Sequence, residues 1–338
     1  MSDETTHNSK TTKAQDPQAA TNPSQNASSS HAPNGSEPPY LDRAPLAYEN
    51  SAFLNSADGR LIRILAEYTE PLARFRRERI QDTVVFFGSA RFHGREEADR
   101  ALELLDNTGS LAPAPQHEQP ASIPEIAQGT ASELGRRRAV AAVEMARYYE
   151  DARRLAHMIT SWAATIPSTR HRFVITSGGG PGIMEAANRG AAEAGGPSIG
   201  LSIQLPHEQA SNPYITPNLN FLFHYFFMRK LWFAQMAKAL IIFPGGFGTM
   251  DELWEMLTLM QTHKLSQHHL ILIYGRKYWD KVIDWRHMVR TGTINEREFK
   301  LLQFADNVDE AFNHIRKDLE AHHLEVESDS YTKPMRRM

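Results

Sequence analysis

Cysteine is missing altogether from the 338-residue chain. Without a thiol there is no disulfide scaffold, no cysteine nucleophile, no iron–sulfur cluster and no cysteine-ligated zinc. Long apolar runs are missing too. None approaches the roughly 18 residues of a membrane-spanning helix, and the first residues hold no apolar signal-peptide core. Charge of one sign is not in excess either: 37 Lys and Arg stand against 40 Asp and Glu, a formal net charge of -3. No global basic field therefore draws the chain to nucleic acid or to an anionic membrane. The expectation is a cytoplasmic protein that binds neither. What is present, 41% hydrophobic residues in a chain of this length, suffices for a substantial core.

Between Ser2 and Pro39 there is no Val, Ile, Leu, Phe, Trp or Tyr. Such a stretch cannot bury enough apolar surface to offset its ordering entropy, so residues 1–39 are expected to be a disordered tail. Ser56 is a candidate cap for a helix carrying Leu61, Ile64, Leu65, Tyr68 and Leu72 at helical spacing. The basic end of that helix, Arg74 to Arg79, reads as a solvated face. Thr83 to Phe87 is an unbroken apolar run that predicts a buried strand opening into the turn Gly88-Ser89-Ala90-Arg91. Residues 107–130 lack any period and read as an inserted loop. A long helical pattern over Glu133 to Ala164 follows. Further strands are predicted at Arg172–Thr176, Ser198–Leu205, Asn220–Phe223, Ala239–Phe243, Leu270–Tyr274 and Leu301–Phe304, with a last helix at Asp306–His322 and a tail over 323–338. Strands alternating with helices predict a doubly wound, Rossmann-like α/β fold, a parallel sheet with helices on both faces, as one domain over 40–322.

Two glycine-rich turns stand between a predicted strand and a predicted helix. The first is Ser177-Gly178-Gly179-Gly180-Pro181-Gly182 and the second is Pro244-Gly245-Gly246-Phe247-Gly248-Thr249. Glycines let the backbone approach a ligand closely, and N–H groups at a helix start, aided by the helix dipole, suit an anion such as a phosphate. One such turn is as readily a tight connection with no ligand; two in one sheet can hold one phosphate from two sides. Neither fits Gly-x-Gly-x-x-Gly, no Gly-Lys dipeptide occurs for a Walker loop, and the strand after the first turn ends near Gln204 without an acidic ribose clamp. A dinucleotide oxidoreductase is therefore disfavoured. Thr249 and Glu252 have the spacing of a helix capping box, a purely structural role that spacing alone favours over catalysis. Arg229 and Lys230 are neighbours that diverge by about 100° on a helix, and by residue type alone they read as a solvated pair.

At these residues the chain resembles the LOG family, the "lonely guy" phosphoribohydrolases often labelled lysine decarboxylases. The resemblance runs from about Thr83 to Asp309. It rests on Pro-Gly-Gly-x-Gly-Thr-x-x-Glu, matched by Pro244 to Glu252, on the triple-glycine turn running into Gly182-Ile183-Met184, and on Arg229-Lys230. It implies hydrolysis of the N-glycosidic bond of a nucleoside 5′-monophosphate, an AMP-like nucleotide or a cytokinin riboside monophosphate, to free base and ribose 5-phosphate. It further implies a catalytic pair, Arg229 and Glu252. Gly178, Gly179, Gly180, Gly182, Glu208, Lys230, Gly245, Gly246, Gly248 and Thr249 would bind the substrate, and Ser89, Arg91 and Thr258 would line the site. Glu252 would stabilise the positive charge that builds on the ribose and position the attacking water, with Arg229 orienting it. Many plant-type members carry Met-His-x-Arg-Lys, where this chain has Phe226-Phe227-Met228-Arg229-Lys230; the base pocket is where it departs.

The resemblance also implies a homodimer or larger homo-oligomer and no cofactor. No metal is expected: His207-Glu208-Gln209-Ala210-Ser211 fails the His-Glu-x-x-His pattern, and His268 and His269 would diverge on a strand. The main alternative is a non-catalytic nucleotide or molybdenum-cofactor carrier on the same scaffold. Lysine decarboxylation would need a Schiff-base lysine in a pyridoxal site, for which no residue gives a signal.

Overall fold

A computed structural model describes residues 43–108, 131–205, 210–265 and 267–324. The expected amino-terminal tail, residues 109–130 of the expected insertion, Glu208 and residues 325–338 lie outside the described residues. The chain divides into two units at Asn50/Ser51. In the first, residues 43–50 end in a turn in which the Glu49 and Asn50 N–H groups donate to the Leu46 carbonyl.

The second unit holds the described helices and strands. In chain order these are α1 (Ser51–Asn55), α2 (Arg60–Arg77), β1 (Thr83–Phe87), α3 (Arg95–Thr108), α4 (Ala131–Ala163), β2 (Val174–Ser177), α5 (Ile183–Glu193), β3 (Ser198–Ile203), β4 (Asn220–Phe223), α6 (Phe226–Met236), β5 (Ala237–Ile242), α7 (Phe247–Gln261), β6 (Leu270–Tyr274), α8 (Arg276–Val282), α9 (Trp285–Arg290), α10 (Glu296–Phe299), β7 (Leu302–Ala305) and α11 (Val308–Leu319). The strands form one seven-stranded sheet in the order β4-β3-β2-β1-β5-β6-β7. Every pairing is parallel, which makes this the doubly wound, Rossmann-like α/β fold that the alternation predicts.

The strands are apolar on both faces because both faces are covered. In β1, Val84 and Phe86 point into a core shared with α4, α5 and α11, through Leu155, Ile159, Ala187 and Ile315. Val85 and Phe87 point to the other side, against Phe75 of α2, Trp232 and Phe233 of α6 and Leu253 of α7. Successive side chains of a strand alternate between faces, so one unbroken run serves both cores. The chain steps outward from β1 to β4, then crosses back to place β5 on the other side of β1. In open α/β sheets the crevice at the carboxyl ends of such a pair is where ligands bind.

Local details depart from the sequence expectations for physical reasons. Ser56 does not cap α2. Its hydroxyl closes the end of α1, donating to the Phe53 carbonyl at 2.7 Å and accepting the Gly59 N–H at 3.3 Å, and Gly59 occupies the cap of α2 with no side chain to offer. Of the expected apolar stripe, Ile64 and Leu72 pack against the core and Tyr68 meets Trp232, Leu61 and Leu65 are exposed, and Pro71 and Phe75 add buried contacts. The Arg74 end is not a plain solvated face: its guanidinium lies 3.9 Å from the centre of the Phe221 ring and donates to the Asn220 carbonyl at 2.9 Å. β2 starts at Val174, not Arg172, because Phe173 has a left-handed φ of 52° and Arg172 is committed to a buried ion pair with Asp82 at 2.9 Å. Residues 107 and 108, expected in a loop, close α3. The last helix starts at Val308 and continues past its expected end as a π-helical turn over Glu320–Leu324.

Candidate active site

Three turns converge where β1 and β5 end, and the backbone of Ser89 ties them together. Its N–H donates to the Pro244 carbonyl of the second glycine turn at 3.0 Å, and its carbonyl accepts the Ile183 N–H at the end of the first, also at 3.0 Å. This closeness explains two of the glycines. Gly182 has φ +71°, a left-handed conformation, and any Cβ there would run into the Ser89 carbonyl oxygen. A Cβ at Gly245 would meet the Thr249 hydroxyl and, at 3.1 Å, the Ser89 nitrogen.

The first turn is shaped from below by a buried polar network. The Ser177 hydroxyl accepts the Gly179 N–H at 3.0 Å and donates to the Asn188 side-chain Oδ1 at 2.6 Å. The Asn212 side chain donates to the Gly179 and Gly180 carbonyls, each at 3.1 Å, and Gly178 continues directly from β2. With the carbonyls held, the opening of α5 is fixed; its cap is Gly182, which contributes no side-chain hydrogen bond. Asn188 and Asn212 were not singled out in the sequence. A polar residue in the small-residue run of α5 was the one available signal for Asn188.

The second turn opens α7 in the same way. Gly246 occupies the cap without a side-chain bond, so the first N–H groups of the helix have neither an intrahelical partner nor a side-chain cap. A Cβ added at Gly246 or at Gly248 would meet nothing within 4 Å, so the backbone there borders open space. The Tyr278 hydroxyl donates to the Gly245 carbonyl at 2.9 Å and braces the turn from α8. The Thr249–Glu252 capping box is not formed: Thr249 is buried against Gly245, and Glu252 lies in the body of the helix.

Glu252 instead meets Arg229. The Arg229 Nη2 donates to Glu252 Oε1 at 2.8 Å, and each side chain is only 11% exposed. The solvated pair expected from residue type is not formed: Arg229 is buried, its guanidinium 5.3 Å from the Phe226 ring centre and 5.8 Å from that of Phe233. Lys230 does diverge, but toward α7, where it bridges Asp251 at 2.7 Å and Glu255 at 2.9 Å. Burial pushes the Glu252 carboxyl up to about 7 against the pull of Arg229, and burial lowers the guanidinium of Arg229. Water exclusion thus outweighs the attraction within the pair. Arg229 Nε, also buried, has no hydrogen-bond partner among the described residues.

The position of α6 is set from outside the site. The Glu67 carboxylate of α2 accepts the His224 and Tyr225 N–H groups at 2.7 and 3.3 Å, satisfying donors at the start of the helix that carries Arg229. Of the expected lining residues, Ser89 is central through its backbone, while its hydroxyl accepts the Arg91 N–H at 3.1 Å. The Thr258 hydroxyl donates to the Trp254 carbonyl of its own helix. Glu208 lies outside the described residues.

Residues 184–315 match the model of the family described as possible lysine decarboxylase, the label that the LOG family carries. The matched span includes Arg229, Lys230 and the whole run Pro244 to Glu252, and begins just after the first glycine turn. No curated protein matches the chain. Among solved structures it is similar to a molybdenum cofactor binding protein from Rippkaea orientalis, at 17% identity over 50% of this chain and 86% of that one, with a TM-score of 0.36. It is also similar to a molybdenum cofactor carrier protein from Chlamydomonas reinhardtii, at 19% identity over 51% and 88%, with a TM-score of 0.36. The structural-genomics target TM1055 is 18% identical over 70% of this chain and 99% of that one, with a TM-score of 0.37.

Proposed function

We propose that this protein hydrolyses the N-glycosidic bond of a nucleoside 5′-monophosphate, releasing the free base and ribose 5-phosphate. The observation that carries the reading is the buried Arg229–Glu252 pair, 2.8 Å apart, on the two helices that flank β5. A carboxylate held in a dry setting is what an oxocarbenium-like transition state needs beneath the ribose. The openings of α5 and α7 offer backbone N–H groups to the 5′-phosphate, with space at Gly246 and Gly248 for it to approach. Anchoring the phosphate there would fix the ribose against Glu252 and remove much of the entropic part of the barrier.

In this scheme the C1′–N bond breaks and its electron pair leaves with the base, which takes a proton from water. A water oxygen bonds to C1′, and the proton it sheds passes to the ionised Glu252 carboxylate, which then gives it up to the hydroxide left when water protonates the base, restoring the ionised form. Arg229 keeps that carboxylate oriented through one arm of its planar fork and has its unpartnered Nε still to offer. The same reading gives a nucleotide substrate, no cofactor and a second copy of the chain as partner. The last point is supported by the exposed apolar side chains Phe226, Phe227, Leu231 and Phe247 around the Arg229 and Glu252 helices. No helix of the described residues is long and apolar enough to cross a membrane.

The test is to incubate the purified chain with nucleoside 5′-monophosphates, the matching nucleosides and cytokinin riboside monophosphates, following free base by chromatography. Base released from the phosphates alone is the expected result. Release from nucleosides at equal rate would overturn the assignment of the glycine turns, and tight nucleotide binding without release would favour a carrier.

A further inference from the structure

At the opposite edge of the sheet from the glycine turns lies a cluster of imidazoles that the proposed hydrolysis does not use. His268 stands just before β6, at its amino-terminal edge, and α11, returning after β7, ends beside it. The His268 Nε2 lies 2.9 and 3.1 Å from the two carboxylate oxygens of Asp318. His322, one helical turn beyond Asp318, stacks on the His268 ring with centroids 3.8 Å apart. A nitrogen from each ring and a carboxylate oxygen fall within 4.8 Å of one another.

Two further features mark the cluster. The helix widens into a π-helical turn at Glu320–Leu324, which carries His322 and His323; such turns are frequent at functional sites. The Nδ1 of His322 is 3.0 Å from the Asp318 backbone carbonyl. The same Nδ1 lies 3.6 Å from the Asp318 carboxylate; in the tautomer that donates from Nδ1, Nε2 keeps a lone pair for an ion, the outer-shell arrangement that orients imidazole ligands. The neighbouring His323 ring lies 6.2 Å from that of His268, and its Nε2 is buried with no hydrogen-bond partner among the described residues.

We propose that His268, Asp318 and His322 bind a divalent transition-metal ion of the zinc class, with water completing its shell. Two imidazoles and one carboxylate suit Zn²⁺, Ni²⁺ or Cu²⁺, whereas Mg²⁺ and Ca²⁺ prefer all-oxygen shells. The ion takes the place of the proton between His268 Nε2 and the Asp318 carboxylate, and that proton is released on binding. Ligands at about 2.0–2.1 Å around a tetrahedral centre are about 3.3 Å apart, so the 2.9 Å between His268 and Asp318 needs to open by only a few tenths of an ångström, while the exposed His322 ring, stacked on that of His268 with the planes 18° apart, turns to bring its lone pair to the same ion. The ion would clamp the start of β6 to the end of α11, a tie between a central strand and the last helix.

The experiment titrates the untagged full-length chain with ZnCl₂ by calorimetry and repeats its melting curve with and without the ion. One Zn²⁺ per chain and a raised melting temperature are expected, with no heat from MgCl₂. His322→Ala and Asp318→Asn should each weaken binding by at least about tenfold. His268→Gln, which keeps a hydrogen bond to Asp318 without an imidazole, should fold normally and lose the Zn²⁺-dependent rise in melting temperature. No binding by the unaltered chain, or binding of unchanged strength in all three variants, would overturn the site.

Discussion

The Arg229 guanidinium and the Glu252 carboxylate, 23 residues apart in sequence, meet at 2.8 Å between α6 and α7 with little exposure of either. Each is the main opposite charge available to the other, because Lys230 is already held by Asp251 and Glu255. A Lys at position 229 keeps a positive charge but loses the planar fork and the contact with the Phe226 and Phe233 rings. Arg229→Lys is expected to fold, with kcat/KM for a nucleoside monophosphate lowered by about 10²-fold, the scale of losing one preorganised stabilising group. Steady-state kinetics beside a melting curve check this, and unaltered kinetics would remove Arg229 from the chemistry.

A second prediction comes from burial of Glu252. Its carboxyl is raised to about 7, and the ionised form is the one that faces the ribose and accepts the proton of water. Activity should therefore fall as pH drops through about 7, with that limb of the kcat/KM profile near neutrality and not in the ordinary carboxylate range. A profile flat down to pH 5 would mean that another group, or none, titrates in the rate-limiting step. The same shift acts on stability with the opposite sense. A carboxyl whose pKa is raised by folding stabilises the fold below its unfolded value and loses that contribution as pH rises toward 7.

The glycines separate structural from ligand-facing roles. Gly245→Ala would drive a Cβ into Thr249 and the Ser89 nitrogen, whereas Gly246→Ala would meet nothing within 4 Å. Gly245→Ala is expected to lower the melting temperature. Gly246→Ala is expected to leave melting unchanged and to raise KM for the nucleotide by narrowing the space beside the α7 opening. Equal effects of the two on melting, with KM unchanged by Gly246→Ala, would argue against phosphate binding there.

How much of this was legible beforehand follows from the reach of each interaction. β1, β4 and β6 have the residues predicted for them, because unbroken or alternating apolar runs between turn residues are local signals. The parallel sheet followed from alternation. By contrast α3, Arg95–Thr108, went unrecognised: it is dense in charge and buries little beyond Ala98 and Leu105. At the site, residue spacing alone favoured a cap at Thr249–Glu252 and a solvated Arg229. Both readings fail because the deciding partner lies on another helix. The same limit hid Asn212, which holds the Gly179 and Gly180 carbonyls from 33 and 32 residues away. It also hid Glu67, which meets the start of α6 from 157 residues away. The pairing of His268 with Asp318, 50 residues on, was invisible in the His268-His269 dipeptide for the same reason.

The apolar side chains around the site predict association. Phe247 is 92% exposed, and Phe226, Phe227 and Leu231 are each at least 41% exposed. If a second copy covers them, Phe227→Glu combined with Leu231→Glu should convert an oligomer to monomer in light scattering after size-exclusion chromatography. A wild-type chain that is already monomeric, or an oligomer that the double variant leaves intact, would contradict this.

The most direct measurement is base release from AMP by the Glu252→Gln variant beside nucleotide binding to the same protein. Loss of turnover by about 10³-fold or more, with binding within a few-fold of the unaltered chain, is the predicted result. A variant that frees adenine at the unaltered rate would contradict the account at its centre.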